Sequence, residues 1–215
     1  MTENEMTLNP RLLPNIGIID GRLPKSVIDS LWKLVDESKK NPKNMRDQLV
    51  GNISSSISLD VKSPIISDFK TQVLPKYIDL MIEKFGLQID IKKDDKYKNW
   101  ALDGLWVNFQ KKHEFNPPHN HYGVYSFVIW MYVPTSYQEQ RKLPIALGTN
   151  DDGSISNFCF NYTDIVGKMR MFNYEMEKDV VGTMVFFPSQ LHHQVFPFFE
   201  NDEERVSISG NVTIR

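Results

Sequence analysis

The sequence has almost no cysteine, no excess of one charge and no long apolar run, and each absence excludes a class of protein. A single cysteine, Cys159, rules out an internal disulfide and fits a reducing compartment. The 25 basic and 27 acidic residues nearly cancel, so the net charge predicts no nucleic-acid partner. No apolar run approaches the roughly 18 residues needed to span a bilayer, and no secretory leader pattern is recognisable. We therefore expect a cytoplasmic protein without a membrane or nucleic-acid partner.

The first part of the chain, residues 1–98, predicts a leading strand and two helices. The run "NIGIID" at 15–20 reads as a short strand. Apolar residues at helical spacing predict helices over about 24–42 and 65–85. Pro75 lies inside the second stripe, where it should kink the helix or begin a new segment.

The second part, residues 99–215, has a different pattern, and we expect it to form a single domain with the first. Turn residues separate short runs rich in Val, Ile and aromatics, as is typical of an antiparallel β architecture. Helices followed by strands predict the α+β class. A weakly periodic stretch at 135–155 predicts a long ordered loop, such as a lid. The strand-like runs are "GLWVNFQ", "YSFVIWMYVP", "NFCFNY", "TMVFFPS", "HHQVFPFF" and "RVSISGNVTI".

Two pairs of histidines are candidate metal ligands. His119 and His121 stand two residues apart in "NPPHNHYG", so in an extended segment both imidazoles point to one side and can meet one metal ion. His192 and His193 are adjacent in "FPSQLHHQVFP", and adjacent strand residues face opposite ways, so at most one points inward. An isolated H-x-H is more often a surface or hydrogen-bonded pair than a metal site. The pairs suggest a metal without deciding it.

A third motif places a cation on a strand. In "ERVSISGNVTI", Arg205 and Ser207 alternate with Val206 and Ile208, so the arginine and the serine share a face. If this face turns inward, the arginine needs an anionic partner. A guanidinium and a nearby hydroxyl suit a small carboxylate. An edge strand with a solvent-exposed polar face explains the alternation equally well.

The order H-x-H, a long gap, H, and R-x-S twelve residues later resembles a known family. The chain is similar to the iron(II)/2-oxoglutarate-dependent oxygenases, whose usual signature is H-x-D/E…H…R-x-S on a double-stranded β-helix, or jelly roll. The strings "NPPHNHYGVYSFVIWMYVP" and "VGTMVFFPSQLHHQVFPFFENDEERVSISGNV" are close to those of prolyl-hydroxylase-like members, including small phage-type ones. The resemblance covers roughly 100–215 and implies a jelly-roll core with the N-terminal helices packed on it.

The resemblance implies a metal site with one departure from the family pattern. His119 and His193 match the two iron-binding histidines, and His121 stands where the family normally has Asp or Glu. Three possibilities follow: His121 is the third ligand, a loop carboxylate such as Asp151 or Asp152 supplies it, or the site is degraded. We favour His121, because its spacing from His119 needs no rearrangement.

The resemblance also implies a co-substrate site. Arg205 matches the arginine that holds the distal carboxylate of 2-oxoglutarate, and Ser207 is its companion. Asn108 and Tyr132 lie on strands that usually line this pocket. The implied cofactors are Fe(II) and 2-oxoglutarate, with ascorbate as a supporting reductant.

The implied activity is a dioxygenase that hydroxylates a protein side chain or a small molecule and releases succinate and CO2. Two other functions remain open from the sequence. One is a cupin-like metal enzyme that does not use 2-oxoglutarate, since three-histidine sites occur on the same jelly roll. The other is a catalytically inactive binding module, which the missing carboxylate favours. The sequence predicts neither the substrate nor the oligomeric state.

Overall fold

The computed structural model describes residues 17–86, 100–148 and 153–214. None of the helices in this part is long and apolar enough to cross a membrane. In chain order the elements are β1 (Ile19–Arg22), α1 (Lys25–Lys40), β2 (Ser55–Ser58), α2 (Leu74–Phe85), β3 (Trp100–Gln110), β4 (Asn116–His119), β5 (Tyr125–Tyr132), α3 (Tyr137–Gln140), β6 (Phe158–Thr163), β7 (Met169–Tyr174), β8 (Thr183–Pro188), β9 (His192–Val195) and β10 (Arg205–Ile214).

The strands form two antiparallel sheets. The larger sheet has six strands in the order β1-β8-β5-β10-β3-β2, and the smaller has four in the order β4-β9-β6-β7. Strands that follow each other in sequence often lie in different sheets, as in a jelly roll, where the chain crosses repeatedly between two facing layers. The α+β class and the double-stranded β-helix core are confirmed.

Period-two alternation divides the side chains of the large sheet between two apolar clusters. On β5, Phe127 and Ile129 point to the helix side, where they pack with Leu31, Phe69 and other residues of the N-terminal helices. Val128 and Trp130 point the other way, into the space between the sheets, together with Phe158, Phe160 and Phe187. The helices therefore cover the outer face of the large sheet, and its inner face is left to build a cavity with the small sheet.

The two N-terminal helices follow the apolar stripes that predicted them. Helix α1 follows Pro24 and ends with Lys39 and Lys40 in its last turn, where their charges oppose the negative end of the helix dipole. The second stripe begins with a 3-10 turn at Pro64–Ile66 and a π-helical turn at Phe69–Val73, and α2 then starts at Leu74. Pro75 has no N–H to donate, so the α pattern begins beside it rather than running through it.

Some elements differ from the prediction. The first strand begins at Ile19, and residues 15 and 16 of the predicted run lie outside the described residues. The polar strand β2 and the edge strand β7 carry no clear apolar alternation and were not predicted. The stretch at 135–155 contains the short helix α3, whose Tyr137 and Gln140 are buried, so this part is packed on the protein.

Candidate metal and co-substrate site

Three imidazoles, from β4, from the turn that follows it and from β9, meet in the space between the sheets. His119 ends β4, His121 follows two residues later, and His193 lies on β9 directly opposite His119 in the antiparallel register. The ring centroids lie 4.3 Å apart for His119 and His193, 4.9 Å for His121 and His193, and 5.1 Å for His119 and His121. One ring nitrogen from each residue lies within 4.8 Å of the other two. The predicted convergence of all three histidines is present.

Backbone carbonyls set the orientation of two of the rings. His119 Nδ1 donates to the carbonyl of Pro117 at 2.7 Å, and His193 Nδ1 donates to the carbonyl of Leu191 at 3.0 Å. A carbonyl can only accept, so the proton sits on Nδ1 and the Nε2 lone pair of each ring is free for a metal ion. The backbone N–H of His121 donates to the carbonyl of Ser189 at 2.9 Å, which fixes the turn that carries the third ring.

Burial keeps the three imidazoles neutral. It lowers the pKa of His121 to about 4, and the nearby His119 adds to this effect. Burial also lowers the pKa of His119, against the opposing effect of the hydrogen bond to Pro117. His193 is 3% exposed, and burial beside two other imidazoles lowers its pKa well below the ordinary value. Neutral imidazoles are the form that binds a metal, so no proton has to be displaced at neutral pH.

The other two histidines do not join this cluster. His192 is exposed on the outer side of β9, as the alternation along the strand predicts. His113 is exposed, and its ring lies 5.1 Å from that of Phe199. Asp151 and Asp152, the alternative source of a third ligand, lie outside the described residues.

The side chain of Arg205 is buried in the same interior without a charged partner among the described residues. It is 3% exposed, and its face lies 5.1 Å over the ring of Phe198. One terminal nitrogen donates to Ser156 Oγ at 2.7 Å and the other to Gln110 Oε1 at 3.4 Å, while the buried Nε has no hydrogen-bond partner in the described part of the chain. Burial lowers the pKa of Arg205 to about 9, so it still carries its charge at neutral pH.

A single cavity of about 240 Å³ joins the histidines to Arg205. None of the described residues that line it is Asp or Glu. Its walls include the predicted Ser207 and Asn108, with the Asn108 amide oxygen accepting from Ser56 Oγ at 2.7 Å. Strand alternation brings these side chains together, because β3 and β10 both turn their polar positions inward.

The structure corrects the prediction for Tyr132. Its side chain is 40% exposed, does not line the cavity, and donates through its hydroxyl to Glu203 at 2.6 Å. The pairing of β5 with β10 shifts register between Val206 and Ser207, where β5 carries an extra residue. The shift ends the inward alternation of β5 after Trp130, and the sequence pattern did not reveal it.

Two residues at this site were missed from the sequence. Gln110 lies two positions after Asn108 on β3, so period-two alternation starting from Asn108 would have included it. Ser156 directly follows the weakly periodic stretch at 135–155, where no pattern marks it, and only the folded chain brings it to Arg205.

The chain is similar in sequence to one protein family. A family model described as "Putative 2OG-Fe(II) oxygenase" matches residues 104–211, half of the chain. The chain belongs to the 2OG-Fe(II) oxygenase family. No functionally curated protein matches the chain significantly in sequence.

Solved structures of 2OG-Fe(II) oxygenases share the fold. A prolyl-4-hydroxylase of Pseudomonas putida aligns with a TM-score of 0.56 and 14% identity, over 93% of this chain and 94% of that one. A prolyl hydroxylase of Trichoplax adhaerens, in complex with a hypoxia inducible factor peptide fragment, aligns with a TM-score of 0.51 and 12% identity, over 91% and 81%. The epimerase SnoN from nogalamycin biosynthesis, described as non-heme and alpha-ketoglutarate dependent, aligns with a TM-score of 0.50 and 11% identity, over 92% and 76%. Identities this low establish the fold alone.

The residues of the cavity fit the two groups that the family implies. Iron(II) accepts imidazole ligands, and three rings with free nitrogens face one point. 2-Oxoglutarate carries two carboxylates, and the cavity contains a buried cation with an unused Nε–H and no carboxylate of its own among its described lining residues. The site can therefore take up both a metal cation and a dicarboxylate.

Proposed function

We propose that the chain hydroxylates a protein side chain in a reaction dependent on iron(II), 2-oxoglutarate and dioxygen, with His119, His121 and His193 as the metal ligands. The buried charge of Arg205, which has no ionic partner among the described residues, carries the proposal, because such a cation is costly unless a bound anion compensates for it. When bound, iron and 2-oxoglutarate would supply an oxidative decarboxylation in which one atom of dioxygen enters succinate, the other is inserted into a substrate C–H bond, and CO2 is released.

The protein's own residues bind and orient the reactants. Three neutral imidazoles would hold the metal ion, and a set of only three protein ligands would leave coordination positions for co-substrate and dioxygen. Arg205 receives the distal carboxylate, with Ser207 and Asn108 in the surrounding wall. The apolar rings of Trp130 and Phe158 line the interior beside the histidines and help to exclude water.

His121 as third ligand alters the charge at the metal. A carboxylate ligand would contribute one negative charge, and an imidazole contributes none. The described cavity wall offers no acidic side chain in its place. The spacing of His121 from the other two rings supports its role as the substitute.

The size of the cavity supports a protein side chain as the substrate. Pockets for small organic ligands are usually about 300–1,000 Å³, whereas this cavity is about 240 Å³. It must hold the co-substrate as well, which leaves space for a side chain rather than a large molecule. The structural likeness to an enzyme crystallised with a peptide agrees with this proposal. A small-molecule substrate remains the second candidate, and the likeness to an epimerase of nogalamycin biosynthesis is the observation that favours it.

Family membership and the buried guanidinium of Arg205, which has no charged partner in the described part of the chain, favour this function over the two alternatives. A cupin-like enzyme that uses no 2-oxoglutarate has no need for a buried cation at Arg205. An inactive module has no need for three clustered imidazoles, two of which are held by backbone carbonyls with Nε2 free to bind a metal ion.

The first test is 2-oxoglutarate turnover by neighbouring histidine variants. Purified protein with iron(II), ascorbate and 2-oxoglutarate in air should form succinate even without a prime substrate. We expect His193→Ala to abolish this activity and His192→Ala, which removes the exposed neighbour, to retain it. Arg205→Ala should raise the 2-oxoglutarate concentration needed for half-maximal rate steeply. Equal succinate formation by wild type and Arg205→Ala would overturn the assignment of Arg205.

The second test identifies the third ligand. Metal content after purification without chelator should be near one iron per chain for wild type and His121→Asp, and far lower for His121→Ala. If His121→Ala retained as much iron as wild type, the third ligand would be another residue, such as Asp151 or Asp152. Wild-type protein that neither retains nor binds added iron would indicate the inactive module.

A further inference from the structure

We propose that Ser156 and Gln110 are positioning residues that hold Arg205 in the orientation needed to select a dicarboxylate. The proposal rests on the function above and adds two residues that the family signature does not contain. Both act through Arg205 rather than on the co-substrate itself.

The guanidinium is held from several directions. Ser156 Oγ accepts from one terminal nitrogen at 2.7 Å, Gln110 Oε1 accepts from the other at 3.4 Å, and Phe198 lies against its face at 5.1 Å. These contacts do not use the Nε–H, which stays buried without a partner in the described residues. A neutral hydroxyl and a neutral amide orient the cation without neutralising it, so its charge remains available to a ligand.

The backbone at Ser156 is strained in a way that serves this contact. Its φ is +65°, a region that non-glycine residues rarely adopt. The residue is fully buried, its N–H donates to the carbonyl of Pro197 at 3.0 Å, and the next carbonyl, of Asn157, accepts from Phe196 at 2.9 Å. These hydrogen bonds hold the chain in the unfavourable conformation, and the result is that the hydroxyl reaches Arg205. Strain of this kind is common where a side chain must be aimed at a functional group.

A hydrogen bond that does not involve Arg205 sets the orientation of the Gln110 amide. Its Nε2 donates to the carbonyl of Glu114 at 2.7 Å, so the oxygen must be the atom that faces Arg205. Gln110 and Arg205 are direct cross-strand partners in the register of β3 and β10. The amide therefore presents an acceptor to the guanidinium at a fixed place.

The experiment compares two co-substrates that differ only at the distal end. 2-Oxopentanoate has the chain length of 2-oxoglutarate but a methyl group in place of the distal carboxylate. Affinities of both acids are measured by calorimetric titration of zinc-loaded protein, which binds without turning over. In Ser156→Ala the affinity for 2-oxoglutarate should fall about tenfold, as for loss of one hydrogen bond to a charged group. The affinity for 2-oxopentanoate should stay unchanged.

A second variant adds a charged acceptor beside Arg205 instead of removing a neutral one. Gln110→Glu places a carboxylate beside the guanidinium and satisfies its charge internally. We expect at least a tenfold loss of 2-oxoglutarate affinity, again without an effect on 2-oxopentanoate.

The structural control is Gln140→Leu in α3. Gln140 is buried on the same weakly periodic stretch and bonds the backbone of Phe199 at 2.8 and 2.9 Å, but it does not contact Arg205. This variant should lower thermal stability and keep the ratio of the two affinities at the wild-type value. If Ser156→Ala and Gln110→Glu also keep that ratio, the positioning role is refuted. If wild type itself does not prefer 2-oxoglutarate, the proposed function fails instead.

Discussion

At the scale of single residues, Arg205 is the clearest conflict between stability and function. Its side chain is buried, charged and only partly hydrogen-bonded within the described chain. Such a group destabilises the ligand-free protein, and evolution retains it where binding requires it. The neighbouring polar residues Ser156 and Gln110 reduce this cost but do not remove it.

The residue-scale prediction is that Arg205→Met stabilises the ligand-free protein. Methionine keeps much of the volume and removes the desolvated charge, so the free energy of unfolding should rise by about 1–3 kcal/mol. Urea unfolding at neutral pH, where Arg205 is charged, measures the difference, and calorimetry should show that 2-oxoglutarate binding is lost. A less stable variant would mean that Arg205 is compensated inside the ligand-free protein.

At the scale of elements, the strands of the large sheet pack against the N-terminal helices on one face and line the cavity on the other. On β10 the apolar Val206 and Ile208 belong to the helix-side cluster, whereas Arg205 and Ser207 line the cavity. The N-terminal helices therefore secure one face of the sheet so that the other face can carry polar residues. Their contribution to function is indirect, through the position of β10.

The element-scale prediction concerns helix α1. Leu31 has no exposed surface in the helix-side cluster, so Leu31→Ala should lower the free energy of unfolding by about 2–5 kcal/mol. Glu37→Ala, on the exposed side of the same helix, should change it by about 0.5 kcal/mol or less. Chemical denaturation of both variants tests this. Similar losses at the two positions would show that α1 is not anchored through its apolar stripe.

At the scale of the whole molecule, the two apolar clusters support the fold without help from the metal. Both clusters are built from aliphatic and aromatic side chains that need no bound ion to be buried, so the metal-free chain should remain folded, unlike small domains that depend on a structural metal. Ligands should nevertheless stabilise the protein, because they bind the folded state alone.

The whole-molecule prediction is a ligand-dependent melting temperature. Iron(II) with 2-oxoglutarate at about 100 times its dissociation constant should add about 2.7 kcal/mol, or roughly 5–10 °C for a chain of this size. Differential scanning calorimetry under anaerobic conditions measures the shift, and a chelator should reverse it while leaving a cooperative transition. His193→Ala should show no shift. Loss of the transition on chelation would make the metal structural.

The sequence alone determined the helices, most of the strands, and the histidine and arginine motifs, because each depends on local spacing. An i,i+2 pair shares a face of any extended segment, and an apolar stripe at helical period must be buried in any fold. The spacing therefore identified His119, His121, Arg205 and one of His192 and His193 as candidates, and the family resemblance selected His193.

Only the tertiary structure decided what lies beside them. The register shift on β5 turned Tyr132 outward, and the long stretch between β5 and β6 brought Ser156 to the guanidinium. These outcomes depend on contacts between residues far apart in the chain, which no local periodicity encodes. The lack of a charged partner for Arg205 among the described residues is of the same kind, since it is a property of the surroundings rather than of the motif.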